Sequence, residues 1–129
     1  METKNYSGYR DLIVYKKAFD LSMKVYKLSF TFPKEEKYAL TDQVRRSSRA
    51  VGAAITESWP KRRYPKHFVL KLTESQSEAC ETNHWLDVAK ECKYINSDIH
   101  SELFNLCLEV QKMLESMIRK PEKFCINVK

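Results

Sequence analysis

The sequence is poor in the residues that break helices: 129 residues include only 2 glycines and 4 prolines. Sheet-rich proteins need many tight turns, most of them built on such residues, so this scarcity excludes an all-β architecture. Gly8 and Gly52 stand alone, and no glycine-rich loop is available to cradle a phosphate. No apolar run approaches the roughly 18 residues that a membrane span needs. The cysteines at 80, 92, 107 and 125 form no CxxC pair. With no signal-peptide-like start, they read as reduced thiols in a cytoplasmic protein rather than as a disulfide framework.

What is present is a globular mixture, 43% hydrophobic and 31% charged. That excludes a disordered chain, and the length fits one domain over 1–129. The net charge of +6 is localised. Between 34 and 71 there are ten Lys/Arg against four acids, and the remainder is neutral. A concentrated excess attracts polyanions such as nucleic acid. It also suits a surface that is merely soluble.

Apolar spacing predicts four helices, at about 11–29, 35–59, 66–92 and 98–120, between a loose leader and a frayed tail over 121–129. Asp11 and Ser97 are the candidate N-caps. The first helix carries a 4-3 seam through Val14, Ala18, Leu21, Val25 and Leu28. The second runs through Leu40, Val44, Ser47, Val51, Ala54 and Ser58. Phe68, Leu72, Ser75, Ala79, Thr82, Leu86 and Ala89 form the third. For the fourth, the spacing predicts Ile99, Leu103, Leu106, Val110, Met113 and Met117. Long helices with short connections predict an all-α, antiparallel up-down-up-down four-helix bundle. Further apolar positions recur at helical spacing, among them Tyr15, Phe19 and Tyr26 on the first helix. They predict burial against other subunits in a homo-oligomer.

Three constellations could carry chemistry. Arg45, Arg49, Lys61, Arg62, Arg63, Tyr64 and Lys66 could form a nucleic-acid-binding surface, with Trp59 and Tyr64 stacking on bases. The bland alternative pairs Arg45 and Arg46 with acids such as Glu57 or Glu78, and uses Trp59 and Tyr64 to close the bundle end. Arg62 and His67 have the residue types of a metal-independent ribonuclease, but Pro65 interrupts the helical register between them. Glu81-x-x-His84 occurs once, whereas a di-metal bundle needs the motif twice with further inward acids, so no metal is expected. The residues imply no catalytic group and no cofactor.

The residues also resemble a known family. The pieces are Tyr9-Arg10-Asp11-Leu12 with Tyr15-Lys16-Lys17-Ala18, then Phe32-Pro33 with Glu36, Tyr38, Leu40, Gln43 and Arg45-Arg46. Arg46-Ser47-Ser48-Arg49-Ala50-Val51 follows, with Ile55, Glu57, Trp59, Lys61-Arg62-Arg63-Tyr64, Glu78, Glu81-Thr82 and Trp85-Leu86. In this order and spacing, over roughly 9–120, the chain resembles the small four-helix-bundle proteins of intervening sequences in bacterial 23S ribosomal RNA genes. Where that family usually reads Asn-Ile-Ala-Glu, this chain has Ala54-Ile55-Thr56-Glu57 and lacks the Asn. The resemblance implies a cytoplasmic oligomer, typically a pentamer, with no established catalytic activity. It extends distantly to accessory proteins of diversity-generating retroelements, which bind nucleic acid and a reverse transcriptase through a basic surface. The expected function is therefore a non-enzymatic oligomer presenting a basic surface to RNA or single-stranded DNA, as an accessory to an RNA, reverse-transcriptase or mobile-element system. A structural or protein-interaction oligomer is the alternative.

Overall fold

The computed structural model describes residues 6–126. Four α-helices account for most of them: α1 (Ile13–Ser29), α2 (Leu40–Ser58), α3 (Pro65–Glu91) and α4 (Ser97–Arg119). Short 3-10 turns at Tyr9–Asp11, Lys34–Glu36, Trp59–Lys61 and Pro121–Lys123 punctuate the chain, and no strand occurs among the described residues.

Helix contacts pair in reverse sequence order. Ser29 near the end of α1 meets Arg45 near the start of α2, and Gly52 of α2 lies beside Tyr15 of α1. Between α2 and α3 the pairs are Ser47 with Thr82, Val51 with Ser75, and Glu57 with Lys71. Gln76 with Glu115 and Asp87 with His100 join α3 to α4. Lys17 with Glu109 and Lys24 with Glu102 close α4 back onto α1.

The seams of α2 and α3 lie where the spacing places them, and every residue named for them is buried. Small side chains dominate this contact. Ser75 Oγ donates to the Val51 carbonyl at 2.7 Å, and the Thr82 and Ser47 hydroxyls share a bond of 2.9 Å. Ser47 and Ser58 also donate to carbonyls of their own helix. Buried hydroxyls thus stay satisfied without wide side chains between the helices. Ala54, where the resemblance leads one to expect Asn, is one of these buried seam residues.

In α4 the seam is rotated from the expected one. Leu103, Cys107, Val110, Leu114 and Met117 are buried, while Ile99, Leu106 and Met113 are only partly covered. Both phases have 4-3 spacing and both are apolar, so periodicity alone could not separate them. Burial pushes the Cys107 thiol up to about 12, which makes it an inert packing residue.

The helix starts also differ. Asp11 does not cap α1. It accepts from Ser7, which holds its carboxyl below the usual range, and α1 begins at Ile13. Instead of starting near 35, α2 begins at Leu40, whose amide donates to Glu36 Oε1 at 3.1 Å. Asn96, not Ser97, caps α4 by accepting from the Ile99 amide at 2.8 Å.

Candidate nucleic-acid interface

The basic hairpin divides into two groups in space. Arg45 and Arg49 stand on the outer side of α2, against α1. The Lys61–Lys66 group lies past the far end of α2, whose last residue, Ser58, is about 20 Å along the helix from Arg45 and about 14 Å from Arg49 at 1.5 Å per residue.

At that end, the chain termini pack over the α2–α3 turn. Tyr6 meets the Trp59 ring edge-on at 5.8 Å and stacks on Phe124 at 6.0 Å. Phe124 in turn packs against buried Phe68, with centroids 6.3 Å apart. The Ile126 amide donates to the Arg62 carbonyl at 3.0 Å. Leader and tail are therefore packed over the described residues, not loose and frayed; residues 1–5 and 127–129 lie outside them. The tail residues Pro121, Glu122, Cys125 and Ile126 line a shallow groove with Pro65 at the start of α3. An apolar groove of about 270 Å³ nearby is lined by Tyr6, Leu12, Met113, Met117 and Phe124 among others. Its only charged lining residue is Asp11, so it adds nothing to the basic surface.

This packing changes the role of two expected site residues. Trp59 is buried and cannot stack on a base. Arg62 lies over the Trp59 ring with its guanidinium carbon 3.8 Å from the centroid, and its Nε donates to the Trp59 carbonyl at 2.9 Å. Burial pulls the Arg62 guanidinium below its ordinary value. Arg62 is thus a structural clamp. His67 packs instead against Tyr64, so the Arg62 and His67 side chains are engaged separately. Arg63, Tyr64 and Lys66 are exposed, and Lys61 is half-buried.

Cations along the α2–α3 contact are neutralised. Arg46 bonds Glu81 at 2.6 Å and lies 3.4 Å from Glu78, the latter an ion pair without hydrogen-bond geometry. Lys71 holds Glu57 and Glu74, each at 3.1 Å. Arg45, Arg49, Lys61, Arg63, Lys66, Lys120 and Lys123 have no acidic partner among the described residues. The expected pairing of Arg46 with Glu78 is present, whereas Arg45 takes a different environment. Its Nε donates to Ser29 Oγ at 2.7 Å, and its guanidinium lies over the Tyr26 and Phe30 rings.

Glu81 is held below its usual carboxylate range by the Trp85 indole and by Arg46, and His84 packs on Trp85. The Glu81-x-x-His84 pair is therefore engaged in side-chain packing. Among the described residues no cluster of three or more His, Cys, Asp or Glu could hold a metal ion. No helix among them is long and apolar enough to cross a membrane.

The chain is thus an all-α protein of four helices with two separate groups of cations on its surface. The chain belongs to the 23S rRNA-intervening sequence protein family, whose model matches residues 10–116. A crystal structure from Bacteroides thetaiotaomicron VPI-5482, described as a protein with unknown function from the S23 ribosomal protein family, shares 27% identity. It superposes with a TM-score of 0.76 over 83% of this chain and 99% of its own. Neither the family nor this neighbour is described with a catalytic activity. No curated protein matches the chain.

Proposed function

We propose that this protein is a non-enzymatic, self-associating bundle that binds RNA or single-stranded DNA through its basic surface. One observation carries the reading. Lys61, Arg63 and Lys66 gather at the turn over which the tail packs, and none of the three has an acidic partner among the described residues, although Glu122 of the tail lines a groove with Pro65 there. Uncompensated cations on one end of a rigid body attract phosphates at long range. Tyr64, 59% exposed at the same turn, is available to stack.

The reversed pairing of helix contacts supports a single up-down-up-down antiparallel domain over 1–129. Exposed Ile13, Phe19 and Leu70 support self-association, and a pentamer accords with the family resemblance. Repetition of the basic end around such an assembly would strengthen weak contacts through multivalency. Four free cysteines support a reducing, cytoplasmic setting. A role beside a reverse transcriptase or within a mobile element rests on the distant retroelement resemblance alone. No catalytic step is proposed, because Arg62 is committed to Trp59.

The test is a salt titration of binding to generic RNA and single-stranded DNA. Arg63→Ala and Lys66→Ala should each reduce the slope of log affinity against log salt by roughly 1, without loss of thermal stability. Arg62 is left in place because its removal would disturb the fold. Absence of binding at about 50 mM salt would refute the reading. Light scattering tests assembly, and a monomer at micromolar concentration would refute self-association.

A further inference from the structure

We propose that the outer face of α1 at Tyr26 and Phe30 is a base-stacking platform for single-stranded nucleic acid, with Arg45 and Arg49 of α2 as its phosphate contacts. The proposal rests on the nucleic-acid reading above and gives it a second site, remote from the basic turn.

The platform is built from both helices. Phe30, at the end of α1, is 65% exposed, and Tyr26 one turn earlier is 37% exposed. Their rings meet edge to face, with centroids 4.9 Å apart. The Arg45 guanidinium carbon is 4.8 Å from the Phe30 centroid and 5.3 Å from that of Tyr26. Arg49 also lies 5.3 Å from the Tyr26 centroid. Because Arg45 Nε is tied to Ser29 Oγ, the guanidinium plane is fixed before any ligand arrives. Its two Nη groups then form a ready fork for phosphate oxygens. Arg45 and Arg49 stand one helical turn apart, about 6 Å along α2. Ring faces that the guanidinium groups leave uncovered, above all on the more exposed Phe30, accept any base, and the adjacent guanidinium groups neutralise the backbone that joins the bases. A duplex keeps its bases stacked on one another and offers no free face, so the platform selects single strands.

The alternative occupant of an exposed aromatic face is a second copy of the chain. Charge favours the nucleic acid. A subunit interface here would enclose two guanidinium groups and would need carboxylates opposite them. On α3 and α4 the acids Glu74, Glu78, Glu81, Glu102, Glu109 and Glu115 already engage cations of their own chain, and the two that pair with no cation among the described residues, Glu91 and Asp98, sit at the α3–α4 connection rather than along a helix face. A phosphate backbone supplies the missing negative charge directly.

The experiment uses the full chain with Tyr26→Leu and Phe30→Leu together, which keeps apolar bulk and removes the π faces. Fluorescence anisotropy would compare a 15-nucleotide oligo(dT) strand, about the upper site size of such platforms, with a duplex of equal length. Light scattering would follow the mass. The double variant should bind the single strand at least about fivefold more weakly, with duplex affinity and mass unchanged. Unchanged single-strand affinity would overturn the platform while leaving the basic-turn reading intact. A smaller mass would overturn it as well, by marking this face as a subunit contact. If the unmodified protein binds neither probe at low salt, both readings fall together.

Discussion

The two ends of the bundle are fastened by different chemistry. At the end holding the α1–α2 loop and the α3–α4 connection, acids carry structural duties. Glu36 accepts from the Leu40 amide and from the Tyr94 hydroxyl at 2.8 Å, and Asp87 holds His100 at 2.8 Å. At the other end, aromatic rings and backbone bonds do the fastening. Tyr6, Trp59, Phe68 and Phe124 pack together, and Arg62 is clamped on Trp59. The cations around them are left without acidic partners. Acids thus fasten the loop end and rings the turn end, while cations without acidic partners among the described residues occur at both, Arg45 and Arg49 near the α1–α2 loop and Lys61, Arg63 and Lys66 at the turn.

The largest expected effect comes from the turn end. Phe68→Ala should cost about 3–5 kcal/mol, because it empties a fully buried site beneath the tail. Chemical denaturation measures it. A cost under about 1 kcal/mol would show that the aromatic packing does not hold this end together.

At the loop end, Glu36→Ala should cost about 1 kcal/mol by orphaning the Leu40 amide and the Tyr94 hydroxyl. It also changes the alkaline limb of stability. The hydrogen bond to Glu36 is the main cause that pushes the Tyr94 phenol from 10.0 up to about 12. A phenol raised on folding contributes stability that is complete below pH 10 and is lost as pH rises towards 12. The variant should lose this alkaline dependence, as read by denaturation between pH 9 and 12. Unchanged alkaline behaviour would separate Tyr94 from Glu36.

The smallest effect is at Lys93, which has φ 66° and stands just past α3. The Lys93 amide donates to the Lys90 carbonyl and the Tyr94 amide to the Ala89 carbonyl, the paired bonds of a left-handed helix stop. Lys93→Gly should stabilise by about 0.5 kcal/mol, since glycine adopts this backbone without a Cβ clash but orders a freer chain. Thermal melting decides it, and destabilisation would mean that the Lys93 side chain contributes contacts of its own.

Much of the fold was legible in the sequence. The seams of α2 and α3 stood out because the neighbouring 4-3 phases carry charge, at Arg45 and Arg46 in α2 and at Lys71, Glu74 and Asp87 in α3. In α4, apolar residues flank the seam on both sides, and Cys107 and Leu114 took core positions expected for Leu106 and Met113. The candidate site was legible in part. Arg45, Arg49, Arg63, Tyr64 and Lys66 could be named from clustered charge, and they are exposed or half-buried. Arg62 and Trp59 could not be sorted from their neighbours, because what covers them comes from Tyr6 and Phe124 at the two ends of the chain. The packing of the tail over the turn was missed for the same reason. Of the aromatic neighbours of Arg45, Tyr26 was visible in the second stripe of the first helix and Phe30 was not singled out, and nothing local tied either to arginines fifteen or more residues away.

By itself the sequence determined the four helices, their main seams and the sign of the surface charge. Each depends on near neighbours: apolar spacing, proline at helix ends and local composition. Only the tertiary structure decided which cations remain free. That depends on which acids and rings from distant segments come within a few ångströms, and pairwise Coulomb and stacking contacts of that range leave no trace in local periodicity.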